Sequence, residues 1–191
     1  MLGSHNSGTY IKSTRSLWMR PFAWMARCQS KDVLEQYNSG VRVFDFRVRC
    51  TGKLIDGVPE VYICHGLVEY GIPDILYTII SELNWYAKTR REKIWITVVY
   101  EDTFGKDKGK ELYPTLYRHL QNTYLGIDFQ FVDSKKTWNV VKDFQEPGWT
   151  NVEAKFWKFS YSCPLPFPWL WRSHRNLKNE KNGTLYYYDF V

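Results

Sequence analysis

The stretch VRVFDFRVR, residues 41–49, decides the fold. It alternates from Val41 to Arg49 as a strand does, and Asp45 and Arg47, two apart, share one face. After a Gly-rich turn comes a second strand-like run, VYICHG (61–66), and then KIWITVVYE (93–101), an almost continuous apolar run of the kind buried on both faces of a sheet. Between these two lies GIPDILYTIISELNWYAKTRRE (71–92), in which Ile72, Ile75, Leu76, Ile79, Ile80 and Leu83 recur at helical spacing. Its basic residues gather at the end favoured by the helix dipole. The spacing predicts a strand–helix–strand unit.

Further along, GKELYPTLYRHLQNTY (109–124) predicts a second amphipathic helix, with Pro114 in its first turn. IDFQFVD (127–133), AKFWKFSY (154–161) and TLYYYDFV (184–191) predict more strands. Such alternation points to an α/β fold with a parallel sheet. About six or seven strands are convincing and full barrels take at least about 200 residues, so the expected form is a compact or incomplete TIM-type β/α barrel. Residues 1–191 read as one domain.

Composition narrows the partners. The chain is 18% aromatic, with 9 Trp and 14 Tyr, more ring surface than such a core needs, which points to rings facing a ligand or a lipid interface. Its net charge of +6 suits an anionic partner. The basic residues are dispersed and no nucleic-acid motif stands out, so nucleic acid is not the expected partner. No apolar run reaches membrane-spanning length and the first residues lack signal-peptide regions, so the default expectation is a cytoplasmic protein with peripheral membrane contact. Cys28, Cys50, Cys64 and Cys163 are scattered and read as reduced, partly buried thiols; the sequon at Asn182 matters only in a secreted protein.

The working residues of a β/α barrel sit at the C-terminal strand ends. His5, Asp45, Arg47, His65, Glu101 and Asp189 all fall there in this reading. Taken singly, each histidine reads as a satisfied polar residue and Asp45–Arg47 as a buried ion pair. Taken together, two histidines, an arginine and carboxylates are what phosphodiester cleavage requires: one imidazole takes a proton, another gives one, and a guanidinium holds the phosphoryl oxygens.

LGSHNSGTY (2–10), LEQYNSGVRVFDFRVR (34–49) and VYICHGL (61–67) together resemble the X domain of phosphatidylinositol-specific phospholipase C, over roughly the first hundred residues. YYYDFV (186–191) is similar to that family's closing strand. The resemblance implies that His5 is the general base on the inositol 2-hydroxyl, supported by Asp189, and that His65 is the general acid on the diacylglycerol oxygen. It implies that Arg47 clamps the phosphoryl oxygens and that Asp45 holds Arg47 or a ring hydroxyl; Asn6 and Glu101, at the neighbouring strand ends, are read beside them as substrate contacts, although bacterial-type members carry an aspartate where Asn6 stands. Arginine at position 47 is the feature of metal-independent, bacterial-type members, so no cofactor is expected. The alternative is a calcium site of Asn6, Asp45 and Glu101, which Arg47 disfavours.

The family's basic or acidic position on the fourth strand falls on Val99, and its middle strands are not recognisable. The alternative function is therefore a weak or inactive module binding anionic phospholipid or inositol phosphate. A glycerophosphodiesterase-type barrel would need a His-Arg start and a Glu-x-Asp strand, and neither is present. PLPFPWLWR (164–172) carries Trp169 and Trp171 beside Arg172, which suits either a lipid headgroup boundary or a loop folded over the barrel end.

Overall fold

In the computed structural model of the chain, residues 2–4, 6–11, 27–66, 68–101, 109–133, 151–155 and 184–188 are described. Their order is β1 (Leu2–Ser4), α1 (Val33–Asn38), β2 (Val41–Ile55), β3 (Val58–His65), β4 (Val68–Tyr70), α2 (Ile75–Arg90), β5 (Ile94–Tyr100), a short 3-10 turn (Lys110–Leu112), α3 (Tyr113–Thr123), β6 (Ile127–Asp133), β7 (Asn151–Lys155) and β8 (Thr184–Tyr188).

Among the described residues the strands form one mixed α/β sheet built around β2. A parallel run crosses it in the order β7–β8–β1–β2–β5–β6. The first strand thus pairs with the last, and the parallel strands follow chain order on either side of it. No pairing among the described residues joins β6 to β7, so among these residues the sheet is open between them.

The outer half of β2 leaves this run. Ile55 pairs with Val58 across the two-residue loop Asp56-Gly57, whose φ angles of 51° and 79° are both positive, as an Asp-Gly hairpin requires. Because the loop returns the chain at once, β3 runs antiparallel to β2, and β4 runs antiparallel to β3. This corrects the expected strand–helix–strand unit: the parallel partner of β5 is β2, and β3, β4 and α2 form the crossover between them.

The alternation read in residues 41–49 divides the sheet into two faces. Phe44, Phe46 and Val48, with Ile94, Ile96, Val98 and Ile127, join Leu76, Ile80 and Leu83 of α2 and Leu116 and Leu120 of α3 in one buried cluster. The other face carries Asp45 level with Thr97 and Gln130, and one step further along, Arg47 level with Val99 and Val132. Strand β5 is buried along its whole length, as its continuous apolar run predicts.

Helix α2 begins later than the periodicity suggests. Pro73 disfavours helical geometry in the residue before it, and Asp74, at a φ of 67°, uses its carboxylate to accept the Val61 N–H (3.1 Å) instead of capping the helix. Ile72 is left outside, 61% exposed. Strand β7 starts at Asn151, ahead of the expected stretch, of which 156–161 lie outside the described residues. No helix among the described residues is long and apolar enough to cross a membrane.

Candidate functional site

At the C-terminal end of the parallel strands, the turn after β1 is fastened to β2. Asn6 takes a left-handed φ of 49°, which asparagine tolerates better than most residues. Its N–H donates to Asp45 Oδ2 (3.3 Å), while Ser7 N–H donates to the Asp45 carbonyl (2.7 Å) and Ser7 Oγ accepts the Asp45 N–H (3.0 Å). Asn6, Ser7 and Asp45 are buried. The residue that follows His5 in sequence is therefore held against Asp45.

Arg47, two residues on, points from the same face and pairs with Glu101 Oε1 at 3.7 Å, the two side chains being 13% and 14% exposed. Burial alone would weaken the arginine's hold on its proton, but the charges of Glu101 and Asp45 outweigh it and keep the guanidinium firmly protonated. Burial likewise pushes the Glu101 carboxyl up, and the opposing fields of Arg47 and His65, with the Gly66 N–H, bring it below its ordinary value. A fixed positive charge with a fixed counter-charge is the result.

Glu101 also organises the turn that carries His65. Its Oε1 accepts the Gly66 N–H (3.0 Å). From the other side Arg49 donates to the Gly66 carbonyl (2.8 Å) and the Glu101 carbonyl (3.4 Å), and pairs with Glu69 at 3.2 Å. Gly66 sits at a φ of 60°, so the turn needs a residue without a Cβ penalty. Beside it, burial first and the Glu101 charge second push the Cys64 thiol up, leaving it neutral.

His65 ends β3, half-buried, with Nδ1 3.8 Å from Cys28 Sγ. Cys28 Sγ in turn accepts the Asn6 side-chain amide at 3.4 Å. Asp45, Asn6, Cys28, His65, Glu101 and Arg47 therefore form a connected series across the ends of β1, β2, β3 and β5. Such a set can hold an oxyanion with Arg47 and move a proton with His65.

Of the residues singled out from sequence, Asn6, Asp45, Arg47, His65 and Glu101 come together; His5, Asp189, Trp169 and Trp171 lie outside the described residues. Among the described residues no three His, Cys, Asp or Glu side chains are grouped to hold a metal ion. In the alternative calcium set, Glu101 already faces Arg47, and a guanidinium competes with a cation for the same carboxylate. Sequence reasoning missed Arg49, Glu69 and Cys28 as members of the site. Arg49 had a signal, since it continues the alternation that puts Asp45 and Arg47 on one face. Cys28 had none, because it reaches His65 from a separate segment.

No family model matches the chain, and no curated protein does. Among solved structures it is similar to the phosphatidylinositol-specific phospholipase C from Listeria monocytogenes, at 14% sequence identity over 70% of this chain and 50% of that one, with a TM-score of 0.44. The chain spans half the length of the structure it matches.

Proposed function

We propose that this chain is a phosphoric diester hydrolase or lyase acting on phosphatidylinositol-type lipids without a metal, built on an incomplete TIM-type barrel spanning residues 1–191. The observation that carries the reading is the buried, counter-charged Arg47 beside Asp45, with the clamped His65 turn on the adjoining strand. Arginine meets phosphoryl oxygens with a forked, permanently charged donor set.

In this reading His5, oriented by Asp189, takes the proton of the inositol 2-hydroxyl, and the oxygen attacks phosphorus. The bond from phosphorus to the diacylglycerol oxygen breaks, and that oxygen takes a proton from His65. An inositol cyclic phosphate leaves, which water can open. Arg47 holds the charge that develops on the phosphoryl oxygens, Asp45 steadies the turn beside the base, and Asn6 and Glu101 line the substrate. Trp169 and Trp171 seat the protein peripherally on an anionic bilayer from the cytoplasmic side.

The test is incubation with phosphatidylinositol vesicles, with and without chelator, following inositol phosphate release. Turnover unaffected by chelator and lowered at least about a hundredfold by His65→Ala is expected. No product under either condition overturns the enzymatic reading, and chelator-sensitive turnover overturns the metal-free one. Val99, on the Arg47 level where a charged residue would complete the site, favours a second reading: a module that binds inositol phosphate without turning it over. Calorimetric binding that Arg47→Ala abolishes, with no product formed, is its signature.

A further inference from the structure

The turn that carries His65 is built on a glycine, which suits the left-handed φ of 60° at Gly66 without selecting it. Holding that conformation requires contacts on both sides of the Gly66 Cα. Glu101 Oε1 accepts the Gly66 N–H at 3.0 Å, which fixes the peptide joining His65 to Gly66. The peptide that follows is held by Arg49, which donates to the Gly66 carbonyl at 2.8 Å.

Arg49 reaches that carbonyl from β2 with its whole guanidinium engaged. Nη2 donates to Gly66, Nη1 to Glu69 Oε1 on β4 at 3.2 Å, and Nε to the Glu101 carbonyl just past β5 at 3.4 Å. Each nitrogen of the planar fork thus has an acceptor on a different segment, an arrangement that the single nitrogen of a lysine cannot reproduce. Glu69 offsets the charge of the guanidinium, so Arg49 brings the turn direction rather than a second positive field.

We propose that Arg49 is a positioning residue: by tying the Gly66 carbonyl to β4 and to the end of β5, it fixes the point and direction from which the His65 side chain leaves the backbone. Arg49 touches neither substrate nor reacting atoms in this reading. It acts through His65, whose proton must reach the leaving oxygen along a short, directed path, and a misplacement of about 1 Å at such a group can cost about a hundredfold in rate. The holding of the turn is a property of the fold whatever the reaction; its catalytic consequence rests on the function proposed above.

The experiment follows the full chain in two ways. Amide hydrogen exchange reads the turn itself: in Arg49→Lys, Gly66 should exchange at least about tenfold faster while the amides of β5 change little. Unchanged Gly66 exchange overturns the proposal. If that variant does not fold, Glu69→Ala decides, since it removes the acceptor holding one arm of the fork, and unchanged Gly66 exchange there overturns the proposal equally. Where vesicle turnover is observed, Arg49→Lys should lower kcat at least about tenfold with KM nearly constant. That loss should vanish with an inositol phosphodiester whose leaving group is nitrophenolate, which departs without taking a proton. Combined with His65→Ala, the lysine variant should cost nothing further. A merely structural role slows both substrates alike, and that result overturns the positioning of His65. Absence of turnover in the natural protein defeats the phosphodiesterase reading alone, since exchange still decides whether Arg49 holds the turn.

Discussion

Glu101 shows how one carboxylate can hold two elements of a site. It neutralises Arg47, which requires its charge, and anchors the His65 turn by accepting the Gly66 N–H. Glu101→Gln keeps the shape but leaves the buried guanidinium facing a neutral amide, so unfolding in urea should show a loss of about 2–3 kcal/mol. The pH dependence follows from the same contacts. Because the folded protein holds Glu101 below the ordinary value of 4.5, its contribution is complete above that pH and is lost as pH falls through the lower folded value. Stability measured across that window should fall more steeply in the natural protein than in Glu101→Gln. Gly109 offers a steric test of the same region. A Cβ there would meet Cys50 Cβ at 2.5 Å and the Gly52 nitrogen at 2.7 Å, both on β2. Gly109→Ala must displace backbone, and a lowered melting temperature with weaker site contacts is the expected outcome.

At the scale of elements, helix α2 separates residues that hold the fold from those that do not. Ile80 and Leu83 are fully buried in the core cluster, so Ile80→Ala or Leu83→Ala should cost about 2–5 kcal/mol. Ile72, which shares their sequence periodicity, is 61% exposed, and Ile72→Ala should stay within about 0.5 kcal/mol. Denaturant titration of the three variants distinguishes the pattern in the sequence from the helix in the structure. Helix α1 is short and depends on its capping box, in which Asp32 accepts the Glu35 N–H at 2.7 Å and Glu35 accepts the Asp32 N–H at 2.9 Å. Asp32→Ala should therefore cost about 1 kcal/mol. Helices α2 and α3 and most strands were legible because period and burial coincide in them, whereas α1, only six residues long, is too short to show a period. The direction of β3 was harder to read, because a run such as VYICHG looks the same in either orientation and only the Asp-Gly loop before it sets the sense.

The whole molecule explains which parts of the site were legible. Asp45 and Arg47 could be read together because a strand places alternate residues on one face, and His65 and Glu101 because each closes a recognisable strand. The contacts among them were not legible, since they depend on which strands become neighbours. That Glu101 bonds the Gly66 peptide, or that Cys28 meets His65, follows from the pairing of β2 with both β3 and β5 and from a turn stitched to a distant segment. The same neighbour relations make β1 a special case. Its three residues lie between β2 and β8, and Leu2 pairs with Tyr186 across nearly the whole length of the chain. During synthesis at about 5–20 residues per second, β1 waits on the order of ten to forty seconds for that second neighbour to be made. Throughout that interval one edge of a central strand is exposed on the ribosome, beside the turn that brings Asn6 to Asp45. A nascent chain of this protein is therefore open to capture by chaperones at the same place where the finished one would do its chemistry.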